Sequence, residues 1–282
     1  MQIHEFAPNT LVKDKISEGE FTIAPIGDLQ LMGANDKQVA LNRFKRHLEI
    51  VENEFPNVYY LGMGDYIDFM SPSNRESLKQ AKVYDASREY IERAAYTLAD
   101  EFLALVEKTK DRWLGLLSGH HFYESPDGTN TDQYIARKLK APYLEKCGYI
   151  SLTLARPDGK TRGTINIWCH HGVGSSKYPV SKLVNQVVPF WPEADLYFMG
   201  HMHACDHYRI NRMVVRGQEV VEQNSLAVVT GGWLKSHTEN QTSYIEEKML
   251  SPRAVGQPIV VVKPYMDARG LFRRKLRYID DV

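Results

Sequence analysis

Short apolar runs recur along the chain and are followed by glycine, aspartate, glutamine or histidine. In the first half they alternate with a segment of helical spacing. Residues 21–26, 58–61 and 113–117 predict strands, and residues 37–55 predict a helix between the first two. Pro25 indicates that the first of these strands lies at a sheet edge or ends there. The alternation predicts an α/β fold with parallel strands.

Residues 70–110 interrupt this alternation with a polar opening and then a long helical pattern. The span is long enough for two helices, and we place the first near residues 76–84, over the carboxyl edge of the sheet. We interpret the whole span as a helical insertion. Its basic residues predict either a solvated face or a lid that faces the substrate; they are Arg75, Lys79, Lys82 and Arg88.

The second half is richer in strands. Predicted strands cover residues 149–154, 164–169, 195–199, 208–215, 218–222, 226–230 and 259–263, and predicted helices cover residues 132–139 and 178–188. The arginine-rich residues 273–277 predict a solvated tail. Because no repeat, linker or composition shift divides the sequence, we expect residues 1–282 to form a single domain.

Composition narrows the function classes only a little. The 35 Lys and Arg residues balance 35 Asp and Glu residues, so net charge does not support nucleic acid or anionic lipid as a partner. A local basic patch would still allow nucleic acid. The sequence shows no signal peptide and no apolar run of membrane-spanning length, and its three cysteines form no CxxC pair. We therefore expect a cytoplasmic protein without a membrane partner, and leave the oligomeric state open.

Side chains that bind metals follow five of the predicted strands. They are Asp28 and Gln30, Asp65 and Asp68, His120 and His121, His170 and His171, and His201 and His203. Ligands of open α/β sheets bind outside the carboxyl ends of the strands, so these side chains are expected to converge. Carboxylates with imidazoles, and no thiolate, suit manganese best here, with iron or zinc as alternatives.

The ordered motifs Asp-x-Gln, Gly-Asp-x-x-Asp, Gly-His-His, His-His-Gly and Gly-His-x-His span residues 27–203. This series resembles the calcineurin-like metallophosphoesterase superfamily, whose pattern is Asp-x-His, Gly-Asp-x-x-Asp, Gly-Asn-His, a lone His at a strand end and Gly-His-x-His. The resemblance implies an α/β fold of the four-layer α/β/β/α metallophosphoesterase-like sandwich type, here with a helical insertion at residues 70–110.

The resemblance also implies a role for each strand-end residue. Two divalent ions would be bridged by Asp65, one held also by Asp28, Gln30 and His203 and the other by His120, His170 and His201. His121 would stabilise the phosphoryl oxygens and protonate the leaving group, and Asp68 would orient a ligand. His170 and His171 both remain candidates for the strand-end ligand, and strand-end geometry favours His170.

Two residues depart from the family pattern. Gln30 replaces a histidine, and an amide oxygen is a weaker, neutral donor to a transition metal. His120 replaces an asparagine and supplies a better donor to the other ion. We therefore expect the two ions to differ in affinity.

The resemblance implies hydrolysis of phosphate esters by a water or hydroxide that bridges the ions, in a phosphodiesterase or nuclease-like enzyme. A phosphomonoesterase acting on nucleotides or phosphoproteins is the alternative within chemistry. The phosphoprotein branch is less well matched. Its signatures are Gly-Asp-x-Val-Asp-Arg-Gly and Gly-Asn-His-Glu, and this chain has Phe69 in place of the arginine and Phe122 in place of the glutamate. A catalytically weakened binding or scaffold protein on the same fold is the alternative of another class, motivated by Gln30 and His120.

The substrate is identified least well. Tyr123, just after His121, and Trp233, after two glycines, are candidates for stacking on a base or aryl group, with core packing as the alternative. Lys177 ends a glycine- and serine-rich loop and is a candidate for contacting phosphate, with a flexible turn as the alternative.

Overall fold

The computed structural model describes residues 11–17, 19–33, 37–81, 84–156, 158–216, 218–240, 242–247, 249 and 251–280. The strands within these ranges are β1 (Leu11–Ser17), β2 (Phe21–Gly27), β3 (Val58–Gly64), β4 (Trp113–Leu117), β5 (Tyr143–Glu145), β6 (Cys147–Ala155), β7 (Thr161–His170), β8 (Leu196–Met199), β9 (Cys205–Arg216), β10 (Glu219–Thr230), β11 (Ile259–Met266) and β12 (Phe272–Ile279). The helices are α1 (Leu41–Glu54), α2 (Pro72–Gln80), α3 (Asp85–Leu105), α4 (Thr131–Leu139), α5 (Pro179–Gln186) and the single turn α6 (Tyr244–Glu247).

The described strands form two six-stranded sheets, one in the order β1-β6-β7-β8-β10-β9 and the other in the order β12-β11-β2-β3-β4-β5. The consecutive strands β2, β3, β4 and β5 are parallel, as are β7, β8 and β10. Antiparallel hairpins β9–β10 and β11–β12 close the far edges. The carboxyl ends of the parallel strands therefore collect donors from the loops that follow them.

The two sheets pack face to face. The apolar core between them joins Ile23, Met63 and Leu114 of one sheet to Ile167 and Phe198 of the other. Helices α1, α3 and α4 cover the outer face of the second sheet, and α5 covers the outer face of the first. The central strands β2, β4 and β8 are buried on both faces and read as continuous apolar runs, whereas β6 alternates buried and half-buried residues. This arrangement confirms the four-layer α/β/β/α sandwich.

Helix α1 begins four residues later than predicted. The backbone N–H of Ala40 donates to the carbonyl of Trp233 at 2.9 Å, and Val39 bridges Leu234. These bonds hold the preceding residues as extended chain beside the loop after β10, so the helix cannot extend into them. Helix α4 agrees closely with its prediction, because Asn130 and Gln133 form a capping box at its start.

The predicted pair of helices in residues 70–110 is confirmed. Helix α2 contributes no buried residue, whereas α3 buries Ala95, Ala99 and Phe102 against the sheet. The end of α3 thus belongs to the outer helical layer, and α2 is the exposed part. Its role as a lid stays a prediction, and Lys82 lies outside the described residues.

The structure differs from the sequence analysis at three places. Residues 11–17 form strand β1, because they pair in parallel with β6. Residues 273–277 lie in β12 and are not a solvated tail, since Arg274 reaches back to a buried ion pair with Asp195. Pro25 lies in a central strand; it is accommodated there because β11 pairs only with residues 21–23. No helix in the described ranges has the length and apolar character needed to span a bilayer.

Candidate metal centre

The candidate site lies where the carboxyl ends of both sheets meet. Asp28 and Asp65 follow β2 and β3, and His120 follows β4 in the same sheet, while His171 and His201 follow β7 and β8 of the other. Asp28 links the two groups of loops, because its Oδ2 accepts the backbone N–H of His201 at 2.9 Å. The predicted convergence of the strand-end side chains is therefore present in the structure.

The backbone of the site is strained in a way the sequence does not reveal. Five of the eleven described non-glycine residues with positive φ are strand-end residues of this site: Asp28 (47°), Gln30 (50°), Asp65 (52°), His201 (68°) and His203 (48°). Left-handed conformations are costly for residues with a Cβ and cluster at functional sites. The surrounding structure thus orients these side chains at the expense of stability.

Two glycines make room for this arrangement. Gly64 has φ of 89°, and a Cβ there would lie 2.7 Å from Nδ1 of His171. A Cβ on Gly119 would collide with the carboxylate and backbone of Asp65. Glycine at these two positions is what allows the β3 and β4 loops to approach each other so closely.

Four donors form a compact group. Asp65, His120, His171 and His201 each offer one ligand atom, and these atoms lie within 4.8 Å of one another. We call these residues the Asp65 cluster. Ligands at about 2.0–2.2 Å from one ion lie at most about 4.4 Å apart, so small side-chain rotations suffice for shared coordination. Oδ1 of Asp65 accepts the amides of His120 and His121 and thereby fixes the carboxylate.

The donor atoms in the site fit a metal ion. Four atoms there are buried and lack a hydrogen bond of ordinary geometry among the described residues: Oδ1 of Asp28, Oδ2 of Asp65, Nε2 of His171 and Nδ1 of His203. Two of them, Oδ2 of Asp65 and Nε2 of His171, face each other at 3.3 Å. A buried polar atom without a partner costs about 1–3 kcal/mol. Coordination to a cation would satisfy all four, and oxygen and imidazole donors suit manganese, iron or zinc.

The geometry of the site favours His171 over His170 as the strand-end ligand. His171 is fully buried with Nε2 3.3 Å from Oδ2 of Asp65, and its Nδ1 lies 2.7 Å from the carbonyl of Met63. His170 instead stacks on Trp168, and its Nδ1 accepts the backbone N–H of Gly172 at 2.7 Å. Alternate residues of a strand face opposite sides, so residue 170 follows Trp168 outward and residue 171 follows Cys169 inward.

Burial and neighbouring charges shift the pKa values of the acidic and imidazole groups within the site. Burial alone would raise the pKa of Asp65, but the neighbouring His171 and His121 and the amide of His120 outweigh it and hold this pKa below its usual range. Burial would lower the pKa of His171, but Asp65 raises it to about 9. Desolvation raises the pKa of Asp28 to about 7. A bound cation would reverse this balance and favour charged carboxylates beside neutral imidazoles.

The other imidazoles are already biased toward the neutral form that binds metal. Burial and the proximity of His171 lower the pKa of His120 to about 4. Burial similarly lowers the pKa of His203 to about 4 and lowers that of His201. His203 lies beside Asp28, with Nε2 3.8 Å from Oδ1. These rings can therefore coordinate an ion without first losing a proton.

His121 is held differently from the other histidines. Its Nδ1 lies 2.7 Å from Oδ1 of Asp68, and its Nε2 lies 3.9 Å from Oδ2 of Asp65. Burial would lower the pKa of His121, but Asp68 raises it above the ordinary value. The side chain is 26% exposed. Asp68 therefore holds the ring of His121 through Nδ1, whereas the resemblance implies that it orients a metal ligand. The proton-donor role of His121 stays a prediction.

Sequence reasoning missed two residues that hold the β4 loop. The backbone N–H of Gly119 donates to Oδ2 of the buried Asp132 at 2.9 Å, and Lys146 donates to the carbonyl of Gly119. Together they fix the turn that carries His120 and His121. No local motif marks either residue, because Asp132 lies in the first turn of α4 and resembles an ordinary acidic helix start.

Two of the three residues predicted to contact substrate are buried within the protein. Tyr123 is 2% exposed and packs edge-on to Phe69, and Trp233 is fully buried with its indole N–H bonded to Gln257. Neither ring is open for stacking on a substrate, so packing within the protein is their role. Lys177 is exposed and lies over Tyr178, and its contact with phosphate stays a prediction.

Gln30 donates its backbone N–H to the carbonyl of Asp65. Its role as a metal ligand stays a prediction.

Comparison with known proteins adds little at the level of sequence. No protein-family model and no curated protein matches the chain. Similar solved structures include Vps29 of Chaetomium thermophilum, with 11% identity over 92% of this chain and 97% of that chain and a TM-score of 0.39. The same protein complexed with the RaPID-derived cyclic peptide RT-D3 has 12% identity over 93% and 96%, with a TM-score of 0.27. The function must therefore be inferred from the site itself.

Proposed function

We propose that this protein is a metal-dependent hydrolase of phosphate esters. Two divalent ions, manganese in the first instance, would be held by Asp28, Gln30, Asp65, His120, His171, His201 and His203. The observation that carries the proposal is the Asp65 cluster, whose four donor atoms lie within 4.8 Å of one another beside an oriented His121. His171 replaces His170 as the strand-end ligand in this proposal.

When bound, the ions would supply an activated water and neutralise charge on the phosphoryl group. The protein's own residues would do the rest. Asp65 is fixed by two backbone amides, so one carboxylate oxygen remains directed at the site. His121 would hold a proton at Nε2 for the leaving-group oxygen, because Asp68 occupies Nδ1 and raises the pKa of the ring. No nucleophilic side chain is needed.

The test is an assay of the purified chain on p-nitrophenyl phosphate and bis(p-nitrophenyl) phosphate, with manganese and with chelator. We expect metal-dependent release of p-nitrophenol, faster from the diester if the enzyme is a phosphodiesterase or nuclease-like and faster from the monoester if it is a phosphomonoesterase. In Asp65→Asn, activity and bound metal should fall together, because the amide cannot balance the charge of the ions. Metal-independent turnover, or full activity in this variant, would contradict the proposal.

The second candidate is a binding or scaffold protein that keeps the fold without turnover. One structural neighbour is complexed with a cyclic peptide, which is in keeping with this candidate, although at a TM-score of 0.27 it does not decide between the two. The same assay separates them. A protein that binds manganese with full occupancy and hydrolyses neither ester would favour the binding protein.

A further inference from the structure

A second concavity lies beside the loop that carries His120 and His121. Helix α2, the start of α3 and the loop of residues 123–128 enclose a cleft of about 260 Å³. A cavity needs only about 10–15 Å³ of such volume to hold one water. The cleft is therefore large enough for a phosphate group.

Hydrogen bonds from Arg75, which lines the cleft, connect it to the loop that carries His120 and His121. Nη1 of Arg75 donates to the carbonyls of Met70 at 2.7 Å, His120 at 2.5 Å and Phe122 at 3.1 Å. The guanidinium also stacks on the ring of Phe122, 3.9 Å from its centroid. In addition, the backbone N–H of Met70 donates to the carbonyl of His121. A ligand group in the cleft would thus have a fixed position relative to the metal centre.

The lining of the cleft is cationic. Arg75, Lys79 and Arg88 line it with a single carboxylate, Glu124. Lys79 pairs with Glu124 at 2.9 Å, so the two charges offset each other. The guanidinium of Arg88 makes no hydrogen bond or ion pair with another described residue. It lies near Tyr123, whose pKa is raised by burial and Glu92 and lowered by Arg88. The guanidinium of Arg88 is accordingly available to an anion.

Guanidinium groups bind phosphate with two parallel hydrogen bonds, which gives both geometry and affinity. The metal centre would already engage one phosphoryl group. We propose that the cleft binds a second phosphate of the same substrate, so that the preferred substrates are phosphate esters carrying a further phosphate group. This inference rests on the proposed function and names its substrate class. Arg88 is the residue that recognises the second phosphate.

The first test is a binding measurement that does not require turnover. Thymidine 3′,5′-bisphosphate and thymidine 5′-monophosphate are titrated calorimetrically into the manganese-loaded protein, into Arg88→Gln and into the matched control Arg93→Gln. Arg93 is exposed on the same helix and does not line the cleft. The wild type and Arg93→Gln should bind the bisphosphate about tenfold more tightly or better, and Arg88→Gln should lose that preference. Equal binding of both ligands by the wild type, or a preference retained in Arg88→Gln, overturns the proposal.

The second test uses turnover of thymidine 5′-(p-nitrophenyl phosphate) with and without a 3′-phosphate. Arg88→Gln should raise KM about tenfold for the 3′-phosphorylated ester alone, with little change in kcat. An equal loss on both esters would contradict the cleft. If neither ester is hydrolysed while the calorimetric preference depends on Arg88, the hydrolase proposal fails and the phosphate-binding cleft stands.

Discussion

The two halves of the candidate metal centre are built differently. The Asp65 cluster brings one carboxylate and three imidazoles together from both sheets, with all four donor atoms within 4.8 Å. The other half, which we call the Asp28 group, consists of Asp28, Gln30 and His203. It offers one carboxylate and one imidazole, with Nε2 of His203 3.8 Å from Oδ1 of Asp28. The amide of Gln30 is its third proposed ligand.

This difference indicates unequal metal sites. Imidazole is a stronger donor than a neutral amide oxygen to manganese, iron or zinc. Under the proposed ligand assignment, Gln30 would weaken the Asp28 group and His120 would strengthen the Asp65 cluster. One ion should therefore be retained more firmly than the other, and the firmly held ion should be the one bound by the Asp65 cluster.

The largest expected effect comes from the paired variants His171→Ala and His170→Ala. His171→Ala should lower metal affinity by about 100-fold or more, because even residues that only support a ligand are worth about 10–100-fold. His170→Ala should leave metal binding close to wild type, because its ring faces Trp168. Manganese titration followed calorimetrically measures both. The opposite order of losses would restore His170 as the ligand.

An effect on turnover alone, with metal binding kept, is expected for His121→Ala. Loss of the proton donor should slow hydrolysis by about 10²–10⁴-fold, while both metal equivalents are kept. The loss should be least for p-nitrophenyl esters, whose leaving group needs little protonation, and greater for alkyl esters. A variant that loses metal along with activity would show that His121 is a ligand instead.

The smallest effect is a gain. Gln30→His should tighten the weaker site, because imidazole replaces an amide within the Asp28 group. We expect its affinity to rise by about tenfold, a change of about 1.4 kcal/mol, while the stronger site is unchanged. Competitive metal titration with a coloured chelator resolves the two affinities. A change in the affinity of the stronger site alone would show that residue 30 belongs to the Asp65 cluster and not to the Asp28 group.

The sequence predicted where the site lies better than it predicted which side chains face it. The α/β alternation and the convergence of Asp28, Asp65 and the strand-end histidines could be predicted, because apolar runs mark buried strands whose carboxyl ends meet. The four-layer arrangement followed only from the resemblance of the motif series. The sequence could also have indicated His171 over His170, because Trp168 and His170 must lie on the same face of β7. That alternation was a stronger guide than the order of the two residues.

Other features depend on contacts between distant parts of the chain. The support that Asp132 and Lys146 give to the β4 loop joins residues far apart in the sequence. The positive φ angles at Asp28 and Asp65 are imposed by the surrounding loops. Tyr123 and Trp233 show the same limit, because an aromatic residue next to a site motif packs inward or outward according to the helices around it. Strand β12 was missed because its arginines conceal its pairing with β11.

The most direct test of unequal sites is metal analysis during dialysis. The protein is loaded with manganese, dialysed against metal-free buffer, and sampled over time for manganese per chain by mass spectrometry. The account predicts two equivalents at the start, rapid loss of one, and slow loss of the other, with the slow equivalent missing in His171→Ala. Two equivalents lost at the same rate, or a slow equivalent that persists in His171→Ala, would contradict it.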